Sequence, residues 1–171
     1  MDFRLDRSFY SRHVVDVARD LLGKELFFHD HRGIIIETEA YRGADDPASH
    51  AFNGPTARTE VMFGPPGFSY VYFIYGMYNC LNIVAEPEGQ AAAVLIRGVR
   101  LVDAPFRKIK GPGKLCKEFG ITREHNFLDL TVEPDFYVLD GPPAKNISVT
   151  PRIGISKNSE IAWRFVSEDC D

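Results

Sequence analysis

Two glutamates stand two residues apart in the stretch IIIETEAYRG, whose apolar, β-branched start is typical of a strand. Alternation along a strand puts Glu37, Glu39 and Tyr41 on one face and the residues between them on the other. Carboxylates at i and i+2 lie roughly 7 Å apart, and a separation of that size suits inverting hydrolysis of a glycosidic bond, in which one carboxylate activates water. An edge strand that carries charges to discourage pairing fits the same spacing. Spacing alone does not choose between Glu37 and Glu39.

A second group of chemically useful residues is the aromatic stretch YVYFIYGMYNC, residues 70–80. Two strand-like runs, FSYVYFIY and YNCLNIVAE, meet so closely at Gly76 and Met77 that a β-hairpin is expected. Aromatic cross-strand pairs stabilise sheets, so both faces of the first strand are compatible with a core position. The tip is different, because Tyr75, Met77 and Tyr78 surround a glycine where a hairpin is normally exposed. An exposed apolar wedge on a turn can enter the minor groove of DNA and unstack a base step.

Charge is unevenly distributed along the chain, which has 171 residues and a net charge of −4. The acidic total, taken alone, disfavours a partner as anionic as nucleic acid. Residues 97–117 nevertheless carry seven basic side chains and one acid, Asp103. Such a run can bind phosphates on an acidic protein, although a merely solvated surface has the same composition. The GPGKLC within it lacks P-loop spacing, but a helix that begins there with Lys114 is suited to hold one phosphate.

Other ligand-type residues indicate neither a metal nor a cofactor. The HDH of residues 29–31 and the DDPASH of residues 45–50 are typical of solvated loops. The three cysteines are widely spaced and form no CxxC pair, so buried or incidental thiols are expected. No apolar run reaches the roughly 18 residues of a membrane span. The first ten residues also lack the pattern of a signal peptide, so a soluble, intracellular protein is expected.

The elements that must position these residues follow from periodicity. SRHVVDVARDLLGKEL has apolar residues at helical spacing, with Ser11 as a candidate N-cap and Gly23 as a stop. Strands are expected in GIIIETEAY, in both arms of the hairpin, in AAAVLIRGVRLV, FYVLD and IAWRFV, and a short helix in GKLCKEFG. The hydrophobic content of 44% is enough to enclose one core. The prediction is a single α+β domain, residues 1–171, with a curved, mainly antiparallel β-sheet, flanking helices and a protruding β-hairpin.

Five stretches, in this order and across most of the chain, resemble the alkyladenine (3-methyladenine) DNA glycosylases of the mammalian type. They are IIIETEAYRGADDPASHAFNG, MFGPPGFSYVYFIYGMYNCLNIVAE, AVLIRGV, GPGKLC and PRIGI. The resemblance implies a monofunctional DNA glycosylase, a base excision repair hydrolase without metal or cofactor that acts as a monomer. Its substrate is duplex DNA with a damaged purine of the 3-methyladenine, hypoxanthine or ethenoadenine type. The enzyme flips that purine out and cuts its N-glycosidic bond with water.

Carried over by position, the resemblance implies the catalytic pair and the base pocket. Glu39 is the general base that deprotonates the attacking water, and Arg97 holds that water with it. Tyr41 and Tyr72 sandwich the flipped base, and His50 contacts its edge. The choice between the two glutamates is therefore made by the resemblance and not by spacing.

The resemblance also implies how DNA is selected and held. Asn82 lies in the pocket wall, where it clashes with the 2-amino group of guanine. Tyr75 fills the hole left in the duplex, and Met77 lies next to this wedge. Arg58 and Lys114 match positions near the DNA backbone. One departure is that APFRKIK stands where the family usually has a longer helical segment.

Two other classes of protein fit part of the pattern. A non-enzymatic single-strand binder would use the tyrosines as a stacking platform, but it has no use for a carboxylate that repels phosphates. A small carbohydrate hydrolase that pairs Glu37 with Glu39 would need neither the wedge nor the basic stretch. For a DNA glycosylase the expected place of action is the cytoplasm, at the nucleoid, in a bacterium and the nucleus in a eukaryote.

Overall fold

The structure is a computed structural model that describes residues 3–43, 45–57, 59–103 and 105–169. The helices in these ranges are α1 (Arg7–Tyr10), α2 (Val14–Asp20) and α3 (Pro112–Phe119). The strands are β1 (Glu25–Phe28), β2 (His31–Arg42), β3 (Ser69–Ile74), β4 (Tyr78–Ala85), β5 (Ala92–Leu101), β6 (Lys108–Lys110), β7 (Phe136–Leu139), β8 (Ile147–Thr150) and β9 (Arg164–Ser167). Short 3₁₀ turns cover Glu60–Phe63 and Arg123–His125.

These nine strands form one sheet in which each pairing is antiparallel. The main order is β3-β4-β5-β2-β1-β7, while β6 pairs with β5 and β9 pairs with both β2 and β8. Along the chain, α1 and α2 precede the strands and α3 lies between β6 and β7, so helices do not alternate with parallel strands. The predicted α+β class is confirmed.

The long strand β2 is the centre of the sheet and changes partners along its length. One edge pairs with β5 throughout, whereas the other pairs first with β1 and then, at Glu37 to Glu39, with β9. The register against β5 shifts on both sides of Glu37, which marks a β-bulge. A bulge bends its strand and increases the local twist. The strand β2 is therefore bent at the segment that carries the two glutamates.

The core is a cluster of buried apolar side chains from α2, α3 and the central strands, among them Val17, Leu21, Ile35, Val94, Ile96 and Leu115. Ala40 belongs to this cluster, and the hydroxyl of Thr38 donates to the carbonyl of Ala18 at 2.8 Å. The face of β2 opposite the glutamates is thus covered by α2. Cys80 and Cys116 are buried thiols, as predicted, whereas Cys170 lies outside the described residues.

The first helical segment is shorter than its periodicity predicts. The prediction of Ser11 as N-cap is wrong, because its hydroxyl donates to the carbonyl of Arg7 at the end of α1. The N-cap of α2 is His13, whose Nδ1 accepts from the backbone N–H of Val15 at 3.2 Å. Gly23 lies just beyond α2 with a φ of +91°, and a Cβ there would lie 2.6 Å from a backbone oxygen. The following residues form β1, which the helical pattern concealed.

The predicted hairpin is present and consists of β3 and β4. Their pairing runs without a break from Ser69 opposite Ile83 to Ile74 opposite Tyr78. In the turn, Tyr75 has a φ of +54° and Gly76 a φ of +66°. Positive φ at both central residues is the pattern of type I′ turns, whose twist matches that of paired strands.

Candidate active site

One cavity of about 270 Å³ opens between β2, β3, β4, β5 and the segment 151–155. It brings together most of the residues that the sequence predicted for the site, namely Glu39, Tyr41, His50, Tyr72, Tyr75, Asn82 and Arg97. Met77 and Lys114 lie outside the cavity lining. Arg58 lies outside the described residues, so its predicted DNA contact stays a prediction.

Glu39 is a fully buried carboxylate at the floor of this cavity. The hydroxyl of Tyr41 donates to its Oε1 at 2.8 Å, and the backbone N–H of Ile153 donates to its Oε2 at 2.6 Å. The Nε of Arg97 lies 3.9 Å from Oε2. Burial raises the pKa of Glu39 above its ordinary value, and the Ile153 N–H, the Arg97 charge and the Tyr41 hydroxyl only partly counter this. A carboxylate with a raised pKa is a stronger base than an exposed one.

Glu37 lies on the same side of β2 as Glu39 but has different partners. Its Oε2 accepts from the Nε of Arg97 at 3.1 Å and from the Nε of Arg164 at 2.7 Å. It is absent from the lining of the cavity. Glu37 thus forms ion pairs with two guanidinium groups and orients Arg97, which extends from β5 toward Glu39.

Aromatic rings form the walls of the cavity. Tyr41 stands on β2, and Tyr70 and Tyr72 stand on β3 with ring centroids 5.3 Å apart. The ring of His50 packs edge-on against Tyr72 at 4.5 Å, and its Nδ1 is 3.2 Å from the hydroxyl of Tyr70. The cavity therefore presents polarisable faces to a flat ligand and an imidazole at its edge.

Asn82 is buried on β4 and also lines the cavity. Its Nδ2 donates to the carbonyl of Tyr70 at 3.2 Å, directly across the β3–β4 pair. This bond fixes the side chain against its own sheet, so any ligand in the cavity meets an amide group that is already held in place.

The tip of the hairpin is exposed beside the mouth of the cavity. Tyr75 is 83% exposed and Met77 is 65% exposed. Tyr75 also contributes to the cavity lining. Tyr78, at the start of β4, rests on Gly113 in the first turn of α3: a Cβ at position 113 would lie 2.5 Å from the Cδ1 of Tyr78. Only glycine leaves room for this ring, so α3 supports the hairpin from one side.

We expect Gly113→Ala to move the hairpin. The added methyl group collides with Tyr78 near its Cβ as well as its ring, so rotation of the ring alone does not relieve the contact. Overpacking of this kind costs about 1 to 3 kcal/mol of folding stability, and we expect the displaced hairpin to bind a duplex with an abasic-site analogue more weakly. Gly141→Ala is the control, since its nearest atom is 3.4 Å away. Equal affinities of both variants would contradict the role of Gly113.

A basic groove lies where α3 meets β6. Four lysines line it: Lys108, Lys110, Lys114 and Lys117. Arg107 lies there too but is paired with Glu118 at 2.6 Å. Pro112, the first residue of α3, lines the cavity. The groove is thus a positively charged track that starts next to the cavity, formed partly by the segment APFRKIK.

The chain is similar over nearly its whole length to one family of known proteins. The methylpurine-DNA glycosylase (MPG) family matches residues 8–171, which is nearly the whole chain. The chain belongs to the methylpurine-DNA glycosylase family. Relatives that bear the name "Putative 3-methyladenine DNA glycosylase" agree with this. One from Ehrlichia ruminantium (strain Welgevonden) is 54% identical over 172 residues, 96% of this chain and 89% of the relative. One from Wolbachia sp. subsp. Brugia malayi (strain TRS) is 58% identical over 161 residues, 94% and 95% of the two chains.

Membership of the methylpurine-DNA glycosylase family confirms the predicted class. The protein is a DNA glycosylase, a hydrolase of base excision repair whose substrate is DNA. A non-enzymatic single-strand binder and a carbohydrate hydrolase are not members of this family. Neither alternative explains why an aromatic cavity, a buried glutamate and an exposed hairpin occur together.

Several residues that line this cavity are not predicted as site residues by the sequence. Tyr70 was assigned only to a strand, and Ile153 and Gly154 were noticed only as part of PRIGI, yet all three line the cavity. Their local patterns carry no signal for a site. In the part of the chain that the structure describes, no group of three or more His, Cys, Asp or Glu residues is arranged to hold a metal ion. No helix there is long and apolar enough to cross a membrane.

Proposed function

We propose that this methylpurine-DNA glycosylase takes an alkylated or deaminated purine, flipped from duplex DNA, into the 270 Å³ cavity and hydrolyses its N-glycosidic bond. The observation that carries the proposal is the position of Glu39. It is a buried carboxylate that ends in a cavity with aromatic walls. The family and the names of the bacterial relatives support the substrate class of 3-methyladenine-type lesions.

The chemistry is a displacement by water at the C1′ of the flipped nucleotide. The ionised Glu39 accepts a proton from water, and the water oxygen forms a bond to C1′. The bond from C1′ to the base nitrogen breaks, and its electron pair leaves with the purine. The Nε of Arg97 extends from β5 to 3.9 Å from the Oε2 of Glu39. At this position its charge can hold the attacking water. Glu37 keeps Arg97 in place through the 3.1 Å bond to its Nε.

Stacking provides the free energy that retains the flipped base. Unstacking and unpairing a nucleotide costs a few kcal/mol, least for a damaged or mispaired base. Each stack of a base on an aromatic ring contributes about 1 to 3 kcal/mol. We assign the two faces of the base to Tyr41 and Tyr72, and its edge to His50. A cationic N-alkylated purine gains more from these rings, because the ring quadrupole attracts positive charge.

The DNA surface that we propose combines the hairpin with the basic groove. Tyr75 enters the space left by the flipped nucleotide, and Met77 lies beside it. Lys114 contacts backbone phosphates together with Lys108, Lys110 and Lys117. All four are exposed cations on one surface and are therefore suited to bind phosphate. We also propose that the protein acts as a monomer. For a bacterial protein, the proposed place of action is the nucleoid.

We expect Asn82 to control which purines are cut. Aromatic walls attract any purine, so exclusion of guanine requires a repulsive contact. An amide held by the Tyr70 carbonyl at 3.2 Å resists displacement by the 2-amino group of guanine, which adenine and hypoxanthine lack. Asn82→Ala and Asn82→Ser should therefore raise the excision of 7-methylguanine relative to hypoxanthine. The measurement is the single-turnover rate on both substrates. An equal slowing of both rates would leave Asn82 with a structural role only.

The experiment that tests the function uses duplex oligonucleotides with one 1,N6-ethenoadenine, hypoxanthine or 3-methyladenine. After incubation with the protein, alkali cleaves the strand wherever a base has been released. We expect release from at least one of these lesions and none from the undamaged duplex. Absence of an alkali-labile site with all three lesions would refute the proposed substrate class. Equal release with and without a reducing agent that traps imines supports hydrolysis by water alone.

A further inference from the structure

A buried ion pair lies behind the catalytic carboxylate and has no place in the reaction described above. Arg152 donates from Nη1 to the Oδ2 of Asp46 at 2.6 Å and from Nη2 to Oδ1 at 3.0 Å. Both side chains are fully buried. A buried pair of charges loses its hydration and adds little net stability, so its presence next to a catalytic group calls for a different explanation.

Arg152 contacts the catalytic strand at two points next to Glu39. Its Nη1 also donates to the carbonyl of Ala40 at 3.0 Å. Its guanidinium lies 4.7 Å from the centre of the Tyr41 ring, within the range of a cation–π contact. The ring whose hydroxyl donates to Glu39 is therefore held from behind by Arg152.

The residue that follows Arg152 supplies the second donor to Glu39. The backbone N–H of Ile153 donates to Oε2 at 2.6 Å, and Ile153 itself is 46% exposed. Its own side chain thus does little to anchor this segment. Because Arg152 is anchored to Asp46, the N–H one residue later is brought to a fixed position on the carboxylate.

Asp46 is itself fixed to the loop that follows β2. Its carboxylate accepts from the backbone N–H of Arg42 at 3.1 Å and of Ala48 at 3.1 Å. Burial alone would raise the pKa of Asp46, but the hydrogen bonds from Arg152 and from these N–H groups outweigh burial and lower it. Asp46 is therefore ionised at neutral pH, and the same loop contributes Ala48 and His50 to the cavity.

We propose that the Asp46–Arg152 pair is a positioning element for base excision: it holds Tyr41 and the Ile153 N–H on Glu39 and thereby fixes how this carboxylate meets the water. The inference rests on the proposed role of Glu39 as the base. Neither Asp46 nor Arg152 lines the cavity, so both act through the residues they hold. The pair also joins two segments, the loop after β2 and the segment 151–155, that are 106 residues apart at this contact.

The pH dependence of excision distinguishes this role from a merely structural one. The charged and titratable groups that face Glu39 are Glu37 and Tyr41 from β2 and Arg97 from β5. The hydroxyl of Tyr41 and the Ile153 N–H stabilise the ionised form, and both depend on Arg152. If the pair is loosened, these donors withdraw and the pKa of Glu39 rises further. The acid limb of the rate profile then moves to higher pH, and part of the lost rate returns as the pH is raised.

The variants that test the proposal are Arg152→Lys and Asp46→Asn. A lysine keeps the charge but cannot bind both oxygens of Asp46 and the Ala40 carbonyl, and an asparagine keeps the shape but removes the charge. The control is Arg12→Lys. Arg12 likewise contacts an aspartate, Asp20, at 2.8 Å, a carbonyl at 3.0 Å and a ring, Phe9, at 4.6 Å, but it lies on the surface.

The single-turnover rate of hypoxanthine excision is measured from pH 5 to 9. It is divided by the concentration of protein that binds a duplex with an abasic-site analogue, so that unfolded protein is excluded. We expect a roughly 100-fold loss near neutral pH for both variants, the scale of a misplaced catalytic group, with the acid limb moved to higher pH. Arg12→Lys should match the wild type. A wild-type rate, or a slower rate with an unmoved acid limb, overturns the proposal. Wild-type protein and Glu39→Gln in the same assay show separately whether the proposed function itself holds.

Discussion

Replacement of Glu39 by glutamine is expected to abolish base excision and to preserve binding of lesion DNA. The amide keeps the shape of the side chain at the floor of the cavity but cannot accept a proton from water. Loss of a general base lowers the rate by about 100-fold or more. The measurement is the single-turnover rate of release of hypoxanthine or ethenoadenine from a duplex. The affinity for the same duplex and for an abasic analogue should remain near the wild-type value.

Glu37→Gln is the matched control for this prediction. Both glutamates are buried on the same side of β2, and both lie within 4 Å of the Arg97 Nε. The change at Glu37 weakens its ion pairs with Arg97 and with Arg164. We therefore expect a milder loss of rate than at Glu39. If the two variants lose excision equally, or Glu37→Gln loses more, the assignment of the base is wrong.

The stability of Glu39→Gln provides a check that its inactivity is chemical. A carboxyl whose folded-state pKa is raised destabilises the folded protein at any pH where it is ionised. Replacing it removes a buried charge, and this gain offsets the weakened hydrogen bonds from Tyr41 and Ile153. We therefore expect a thermal midpoint close to that of the wild type.

The second large effect is expected at Tyr75. Its ring is 83% exposed at the tip of the hairpin and touches little of the folded protein. Tyr75→Ala should weaken flipping and duplex binding by about 1 to 3 kcal/mol, the scale of one lost stack, which is a roughly 5- to 150-fold loss of affinity. The measurements are the dissociation constant for lesion duplex and the fluorescence of a flipped ethenoadenine.

A comparison of paired and unpaired substrates distinguishes whether Tyr75 acts as a wedge in DNA or as a structural residue of the fold. Single-stranded or mismatched lesion DNA needs less unstacking, so the defect of Tyr75→Ala should shrink on it. A defect of equal size on both substrates would show that Tyr75 supports the fold. Phe127→Ala is the control, because Phe127 is also an exposed aromatic residue, at 60%, and does not line the cavity.

Local pattern was enough to predict those parts of the site that lie on regular strands. Alternation in IIIETEAY placed Glu37 and Glu39 on one side of β2, and both indeed contact Arg97. The hairpin followed from a glycine between two β-rich runs, and the exposed tip followed from the turn. These inferences succeed because side chains alternate along a strand, and the bulge next to Glu37 leaves both glutamates within reach of Arg97.

The parts that were missed depend on contacts between distant segments. The Ile153 N–H donates to Glu39, which is 114 residues away in the sequence. A backbone donor leaves no periodic pattern in the sequence that could predict it. The strand β1 was concealed because its apolar residues continue the helical spacing of α2. The strands β6 (KIK) and β8 (ISVT) are short and half or more polar, so they lack the apolar and aromatic residues by which β7 was predicted. The choice of Glu39 over Glu37 likewise came from the resemblance and from tertiary geometry.

We expect the distance in sequence between Glu39 and its partners to govern when the enzyme becomes active during its synthesis. A ribosome makes β2, the hairpin and β5 well before it reaches Arg152, Ile153 and Arg164. A nascent chain that ends before residue 152 carries the tyrosines and the glutamate, but it lacks the N–H donor to Glu39 and one of the two arginines on Glu37. Closure of contacts over such separations is slow compared with local folding. We therefore expect the capacity to cut DNA to be acquired only late in folding, whereas the proposed stacking residues and the hairpin tip are present in the chain much earlier.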